Sequence, residues 1–275
     1  MRKVGGHVSA AGNLANAIKN TLNIGGNCLQ IFAGSPRSWA RKLYPESEAN
    51  KFKEEITSKD INPVFIHALY LVNLGTDNPE LLQKSFNSLL FDLQNGDLIN
   101  CSGIVVHLGS HQGRGFASIK GQVIEQIQKL IVATKTTPFL IENSAGQKGK
   151  IGTLDEITQI FAEIKSDRLK ICLDTAHLFE SGIDIIELSK FALLDKVACL
   201  HLNDSKTAFD SRNDQHANLG DGQIGLEKLK LFVNHPQLRH LPLILEVPGD
   251  LGFPDAKQIK IAKSLTQLTS PIIHI

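Results

Sequence analysis

Three things are scarce in this sequence of 275 residues: cysteine, net charge and long apolar runs. The four cysteines, Cys28, Cys101, Cys172 and Cys199, form no C-x-x-C pair, and each lies in or beside an apolar run such as Lys170-Ile171-Cys172-Leu173. They read as buried, reduced thiols of a cytosolic protein rather than a disulfide framework. Basic residues number 29 and acidic ones 28, a net charge of +1. No overall basic field therefore advertises a nucleic-acid partner, and any attraction for a polyanion has to come from a local feature. No run approaches the roughly 18 apolar residues of a membrane span. Met1-Arg2-Lys3-Val4-Gly5-Gly6-His7 lacks the apolar stretch of a signal peptide. A soluble, cytoplasmic protein without membrane association is expected, and nothing points beyond a monomer.

What is present is an alternation. Hydrophobic residues make up 42% and charged ones 21%, ordinary for a globular chain with a sizeable core. Short apolar runs, read as strands, cover 4–8, 28–32, 63–66, 103–106, 138–141, 169–173, 197–200 and 241–245. Several are apolar on both faces, as parallel strands covered by helices must be. Amphipathic stretches at 13–20, 46–58, 80–93, 119–133, 154–164, 184–191, 226–233 and 255–265 read as helices. Eight β–α units in one series predict a closed (β/α)₈ TIM barrel, with a doubly wound open sheet as the competing architecture. No low-complexity segment or linker divides residues 1–275, so one domain is expected. Two connections, 33–44 and 203–225, are long and carry Arg, Trp, Asp, His and Gly, which favours a functional role for both.

The residues that close the apolar runs carry the chemistry. Runs three to eight end in His67, His107, Glu142, Asp174, His201 and Glu246 in turn. In a barrel all these ends open onto one face, where active sites lie. Each residue alone has an ordinary reading as a helix cap or a hydrogen-bonded core histidine. Together they do not, because carboxylates buried side by side repel unless cations compensate them. His177, three residues after Asp174, and the pair Asp214 and His216 in the second long connection add further donors. Imidazole with carboxylate and no thiolate suits zinc in a catalytic role, with manganese or iron as less favoured alternatives. Five histidines and four acids exceed what one ion can use. Three Zn²⁺ ions would leave the mouth cationic, fit for a phosphodiester.

The strings Gly6-His7-Val8-Ser9-Ala10-Ala11-Gly12, Ile141-Glu142-Asn143-Ser144-Ala145-Gly146, Leu173-Asp174-Thr175-Ala176-His177 and His201-Leu202-Asn203-Asp204-Ser205-Lys206 resemble the endonuclease IV family of zinc-dependent apurinic/apyrimidinic endonucleases. Ser211-Arg212-Asn213-Asp214-Gln215-His216, the segment 219–225 and Leu243-Ile244-Leu245-Glu246 do so as well. The resemblance runs from Val4 to about Pro248. It implies a trinuclear zinc site: His67, His107 and Glu142 on one ion; Glu142 as a bridge with Asp174, His201 and Glu246 on a second; His177, Asp214 and His216 on the third. It further implies hydrolysis of double-stranded DNA 5′ to an abasic site, leaving a 3′-hydroxyl, and trimming of blocked 3′ ends, as in base excision repair.

Glu142 would then fix the spacing of two ions and Glu246 would orient the attacking oxygen. Arg37, Tyr70 and Leu71 would press into the duplex, and Arg114, Lys206 and Arg212 are candidates for phosphate contacts. His7, His111, Asn143 and Asn203 are candidates for holding the ligands in place. His235, His240 and His274 read as surface residues, and the tail after Glu246 is expected to carry no ligands. No nucleotide cofactor is expected. A sugar isomerase with one or two ions, and a DNA-damage binding protein without catalysis, remain as rival readings.

Overall fold

The computed structural model describes residues 1–40, 42–249 and 252–267, so His274 lies outside the described residues. The strands are β1 (Val4–His7), β2 (Leu29–Phe32), β3 (Val64–His67), β4 (Gly103–Val106), β5 (Phe139–Glu142), β6 (Leu169–Asp174), β7 (Val197–His201), β8 (Asp204–Ser205), β9 (His216–Ala217) and β10 (Leu243–Leu245). The helices are α1 (Leu14–Asn23), α2 (Glu46–Ser58), α3 (Pro79–Ile99), α4 (Phe116–Val132), α5 (Leu154–Glu163), α6 (Thr175–Glu180), α7 (Leu226–Val233) and α8 (Ala256–Leu265). Strands β1 to β7 and β10 close into a parallel barrel in the order β1-β10-β7-β6-β5-β4-β3-β2. The expected (β/α)₈ TIM barrel is the architecture found. Among the described residues, no helix is long and apolar enough to cross a membrane.

Two apolar layers hold the barrel. The larger lies between strands and helices and includes Leu29, Ile31, Ile66, Val106 and Leu173. The smaller fills the barrel itself: Cys28, Phe65, Val105, Leu140, Cys172, Cys199 and Ile244. Strand alternation assigns successive residues to these two layers. Gly5 completes the inner ring on β1, where a Cβ would stand 1.7 Å from the Cys28 carbonyl oxygen, so only glycine fits.

Helix boundaries follow local chemistry. Asn78 caps α3 by accepting from the Glu80 and Leu81 N–H groups, and Asn100 ends it at φ 54°, so α3 runs past both expected ends. Thr153 and Glu156 form a reciprocal capping box on α5.

Two differences from the sequence reading matter for the site. The sixth β–α unit begins with α6 immediately after β6, because the Asp174 side chain accepts the His177 N–H at 2.9 Å. The segment read as that helix is a 3₁₀ turn over Ile185–Lys190. All six residues of α6 are buried, so no amphipathic pattern marks it. The second long connection contains the antiparallel pair β8–β9, matching Asp204 with Ala217 and Ser205 with His216.

Candidate metal centre

The inner ring dictates what stands above it. Two residues beyond Gly5, Cys28, Phe65, Val105, Leu140, Cys172, Cys199 and Ile244 come His7, Gln30, His67, His107, Glu142, Asp174, His201 and Glu246. A strand's period of two points each of these the same way as its predecessor, into the C-terminal mouth. Every barrel strand thus contributes one polar side chain to a single layer, and Gln30 is the member the sequence reading missed.

The layer is tightly drawn around Glu142, which is fully buried. His67 Nε2 lies 3.3 Å and His107 Nε2 3.2 Å from Glu142 Oε2. His201 Nδ1 lies 2.9 Å from Glu142 Oε1 and 3.2 Å from Glu246 Oε2. His177 Nε2 lies 3.2 Å from Asp214 Oδ1, and His216 Nε2 is 3.6 Å from both Asp174 Oδ2 and Asp214 Oδ1. Among the described residues, four groups keep their donor atoms within 4.8 Å of one another: His67, His107 and Glu142; Glu142, Asp174, His201 and Glu246; Asp174, His177 and His216; and, reaching one layer below, Cys172, Cys199 and His201. The nine side chains singled out as metal ligands all come together here.

Neighbouring groups set the tautomers. Carbonyl oxygens only accept, so the 2.7 Å contact of His67 Nδ1 with Ala68 O and the 3.0 Å contact of His177 Nδ1 with Asn143 O place protons on both Nδ1 atoms. Gln30 Oε1, 2.9 Å from His201 Nε2, does the same on the other side of that ring. The remaining nitrogen of each ring faces the acids, where it can offer a lone pair to a cation shared with them. Gln30 also donates to Glu246 Oε1 at 2.7 Å, and His7 Nδ1 stands 3.1 Å from that oxygen. Asn203 donates to Asp174 Oδ2 at 2.6 Å and accepts the Glu246 N–H at 2.8 Å. Asn143 accepts the Asp174 N–H at 2.7 Å. His7, Asn143 and Asn203 therefore brace the layer, whereas His111 Nδ1 accepts the Gly115 N–H in its own loop.

Charge is concentrated by this packing. Burial favours the neutral acids, yet the facing imidazoles hold Glu142 and Glu246 well below the usual carboxylate range. Asp214 falls to about 2, against its burial, chiefly through the facing His177 imidazole, whose Nε2 stands 3.2 Å away. Burial pushes the imidazoles down, but the carboxylates outweigh it at His67 and strongly at His177 and His201. His107 falls to about 4 because burial wins there.

Glu142 Oε2, His177 Nε2 and His216 Nε2 are buried without a hydrogen-bond partner. Unpaired lone pairs of that kind, facing one another, fit divalent cations.

A cavity of about 430 Å³ opens above the layer, lined by His7, Phe32, His67, Tyr70, His107, His177, Asp214, His216, Glu246, Pro248, Gly252, Phe253 and Pro254. The segment after Glu246, expected to be uninvolved in ligation, supplies one wall. Tyr70 lies edge-on to Phe32, ring centroids 5.2 Å apart, and Leu71 beside it is exposed. Arg37, Arg114, Lys206 and Arg212 are exposed on connections that follow β2, β4 and β7, outside this lining. Arg114 donates to the Gly75 and His111 carbonyls, and Arg212 pairs with Asp210 at 3.3 Å.

Residues 18–267 match the family model described as xylose isomerase-like TIM barrel. The chain is 38% identical to a probable endonuclease 4 of Halothermothrix orenii, across 91% of this chain and 95% of that one. It is 36% identical to a probable endonuclease 4 of Haloquadratum walsbyi, across 90% and 93%. The crystal structure of endonuclease IV from Thermus thermophilus superposes with a TM-score of 0.84 at 34% identity, covering 96% of this chain and 98% of that one. A D-tagatose 3-epimerase-like protein, 15% identical with a TM-score of 0.73, covers 96% and 95% and shares the fold alone.

Proposed function

Because the chain belongs to the endonuclease 4 family of xylose isomerase-like TIM barrels, we propose that it is a DNA repair endonuclease. It hydrolyses double-stranded DNA 5′ to abasic sites, leaves a 3′-hydroxyl and trims blocked 3′ ends. The observation that carries this reading is the convergence of imidazoles and carboxylates around buried donor atoms without partners, beneath an open cavity. A one- or two-ion isomerase site would leave His177, Asp214 and His216 without a purpose.

Three zinc ions are the proposed complement. His67, His107 and Glu142 would hold the first; Glu142, Asp174, His201 and Glu246 the second; His177, Asp214 and His216 the third. Bound zinc supplies Lewis acidity, acidifying water towards a pKa of about 7 and offsetting charge on phosphoryl oxygens. The protein's share is placement. Glu142 sets the spacing within the centre, and the asparagines keep Asp174 and Glu246 from turning away. Glu246, gripped by Gln30 and next to His7, orients the attacking oxygen for in-line displacement at phosphorus.

Selectivity comes from the cost of leaving the base stack. A nucleotide without its base is cheap to rotate out, whereas an intact one costs a few kcal/mol more. The walls formed by Phe32, Tyr70, Phe253 and Pro254 leave a slot suited to a bare sugar. Arg37, Tyr70 and Leu71 fill the gap in the duplex, and Arg114, Lys206 and Arg212 meet phosphates.

A 5′-labelled duplex with one abasic site tests the reaction. The expected product ends in a 3′-hydroxyl that a polymerase extends, while the intact duplex survives. A product ending in an unsaturated aldehyde would replace hydrolysis by β-elimination, and binding without any cut would leave a damage-binding protein.

A further inference from the structure

Of the nine proposed ligands, Asp214 and His216 stand on the long 203–225 connection rather than at a barrel-strand end or on the helix after it. Something must hold that connection in one place if the pair is to face His177. The structure assigns this task to Glu180, and we propose it as the positioning residue of the His177–Asp214–His216 subsite. This inference rests on the metal reading above.

Glu180 is fully buried at the end of α6, one turn beyond His177. Its Oε1 gathers three donors: the Ser205 hydroxyl at 2.7 Å, the Thr207 hydroxyl at 3.2 Å and the Gln215 N–H at 3.2 Å. All three belong to the connection, and Gln215 is the residue between the two ligands. The Gln215 carbonyl accepts the Lys206 N–H at 2.8 Å, so both sides of this residue are pinned. The Glu180 carbonyl in turn accepts the Arg212 N–H at 2.9 Å, two residues before Asp214. α6 thus aims His177 at the cation position from one turn and grips the opposing ligands from the next. Glu180 Oε2 is buried without a hydrogen-bond partner. A carboxylate kept under that penalty, with every side-chain donor drawn from one segment, is explained by what it positions.

The test uses the full chain, freed of loosely bound metal by dialysis. Zinc per chain is measured by atomic absorption, and zinc release to a chromogenic chelator is followed in time. Glu180→Ala is expected to lose about one ion per chain, or to release one ion about 10–100-fold faster while the others leave at the wild-type rate. Glu180→Gln, which keeps an oxygen towards the three donors, is expected to restore the wild-type pattern. Should Glu180→Ala fail to fold, Ser205→Ala with Thr207→Ala removes two of the donors and is expected to accelerate the same single release phase. Wild-type stoichiometry and release in these variants would overturn the inference, as would faster release of all ions together. A wild-type chain that binds no zinc would overturn the metal reading, and this inference with it.

Discussion

At the scale of single residues, the mouth of the barrel is governed by the two-residue period of its strands. An apolar or small side chain plugs the interior, and the next inward position faces the opening. The period made His67, His107, Glu142, Asp174, His201 and Glu246 legible, since each closes an apolar run with a group that binds metals. Gln30 escaped notice because an amide is not a ligand type and looks like any polar residue ending a strand. Its importance lies in holding His201 and Glu246 at once. Gln30→Leu should therefore weaken zinc binding by about 10–100-fold, read by competition with a chelator of known affinity; unchanged affinity would reduce Gln30 to packing. Glu246→Gln should keep the fold and DNA binding while lowering cleavage by about 10²–10⁴-fold in single-turnover assays. Near-normal nicking would remove Glu246 from the mechanism.

At the scale of elements, strands were readable as short apolar runs buried on both faces, and long helices because each has a face in water and a face in the core. α6 was not readable, since all its residues are buried, and its start depends on Asp174 serving as a cap while also belonging to the strand-end layer. The pair β8–β9 was too short for any periodicity, and only the structure reveals what grips it. Elsewhere one acid ties two elements together: Asp97 on α3 accepts the N–H groups of Lys135, Thr136 and Thr137 at 2.8–2.9 Å, just before β5. Burial opposes its ionisation, but these bonds prevail and bring its pKa to about 2 from 3.8. A depressed carboxylate stabilises the fold above its unfolded pKa and loses that contribution as pH falls through the folded value. Asp97→Ala should cost about 1 kcal/mol at neutral pH, a figure reduced for its partial exposure. The gap in melting temperature from wild type should narrow between pH 4 and pH 2. A gap independent of pH would assign the effect to packing.

At the scale of the whole molecule, the proposed function has a chain of net charge +1 meet a polyanion through one concentrated site. Wall residues after Glu246 were not legible, because Pro248, Phe253 and Pro254 become a wall only when the barrel closes beside them. Tyr70 lines the opposite wall, and the proposed function gives it discrimination rather than hydrolysis. Tyr70→Ala should erode the preference for abasic over intact duplex by about 1–3 kcal/mol, the worth of one base–aromatic stack. Equal preference in both proteins, measured by competition binding, would leave Tyr70 an ordinary half-exposed side chain.

The central claim is that metal held by the strand-end layer performs the cleavage. Bound zinc and nicking of an abasic duplex, followed on one sample during slow chelation and again as zinc is returned, test it most directly. Nicking should fall in step with bound zinc and come back with it. Undiminished nicking by a chain stripped of metal would contradict the claim.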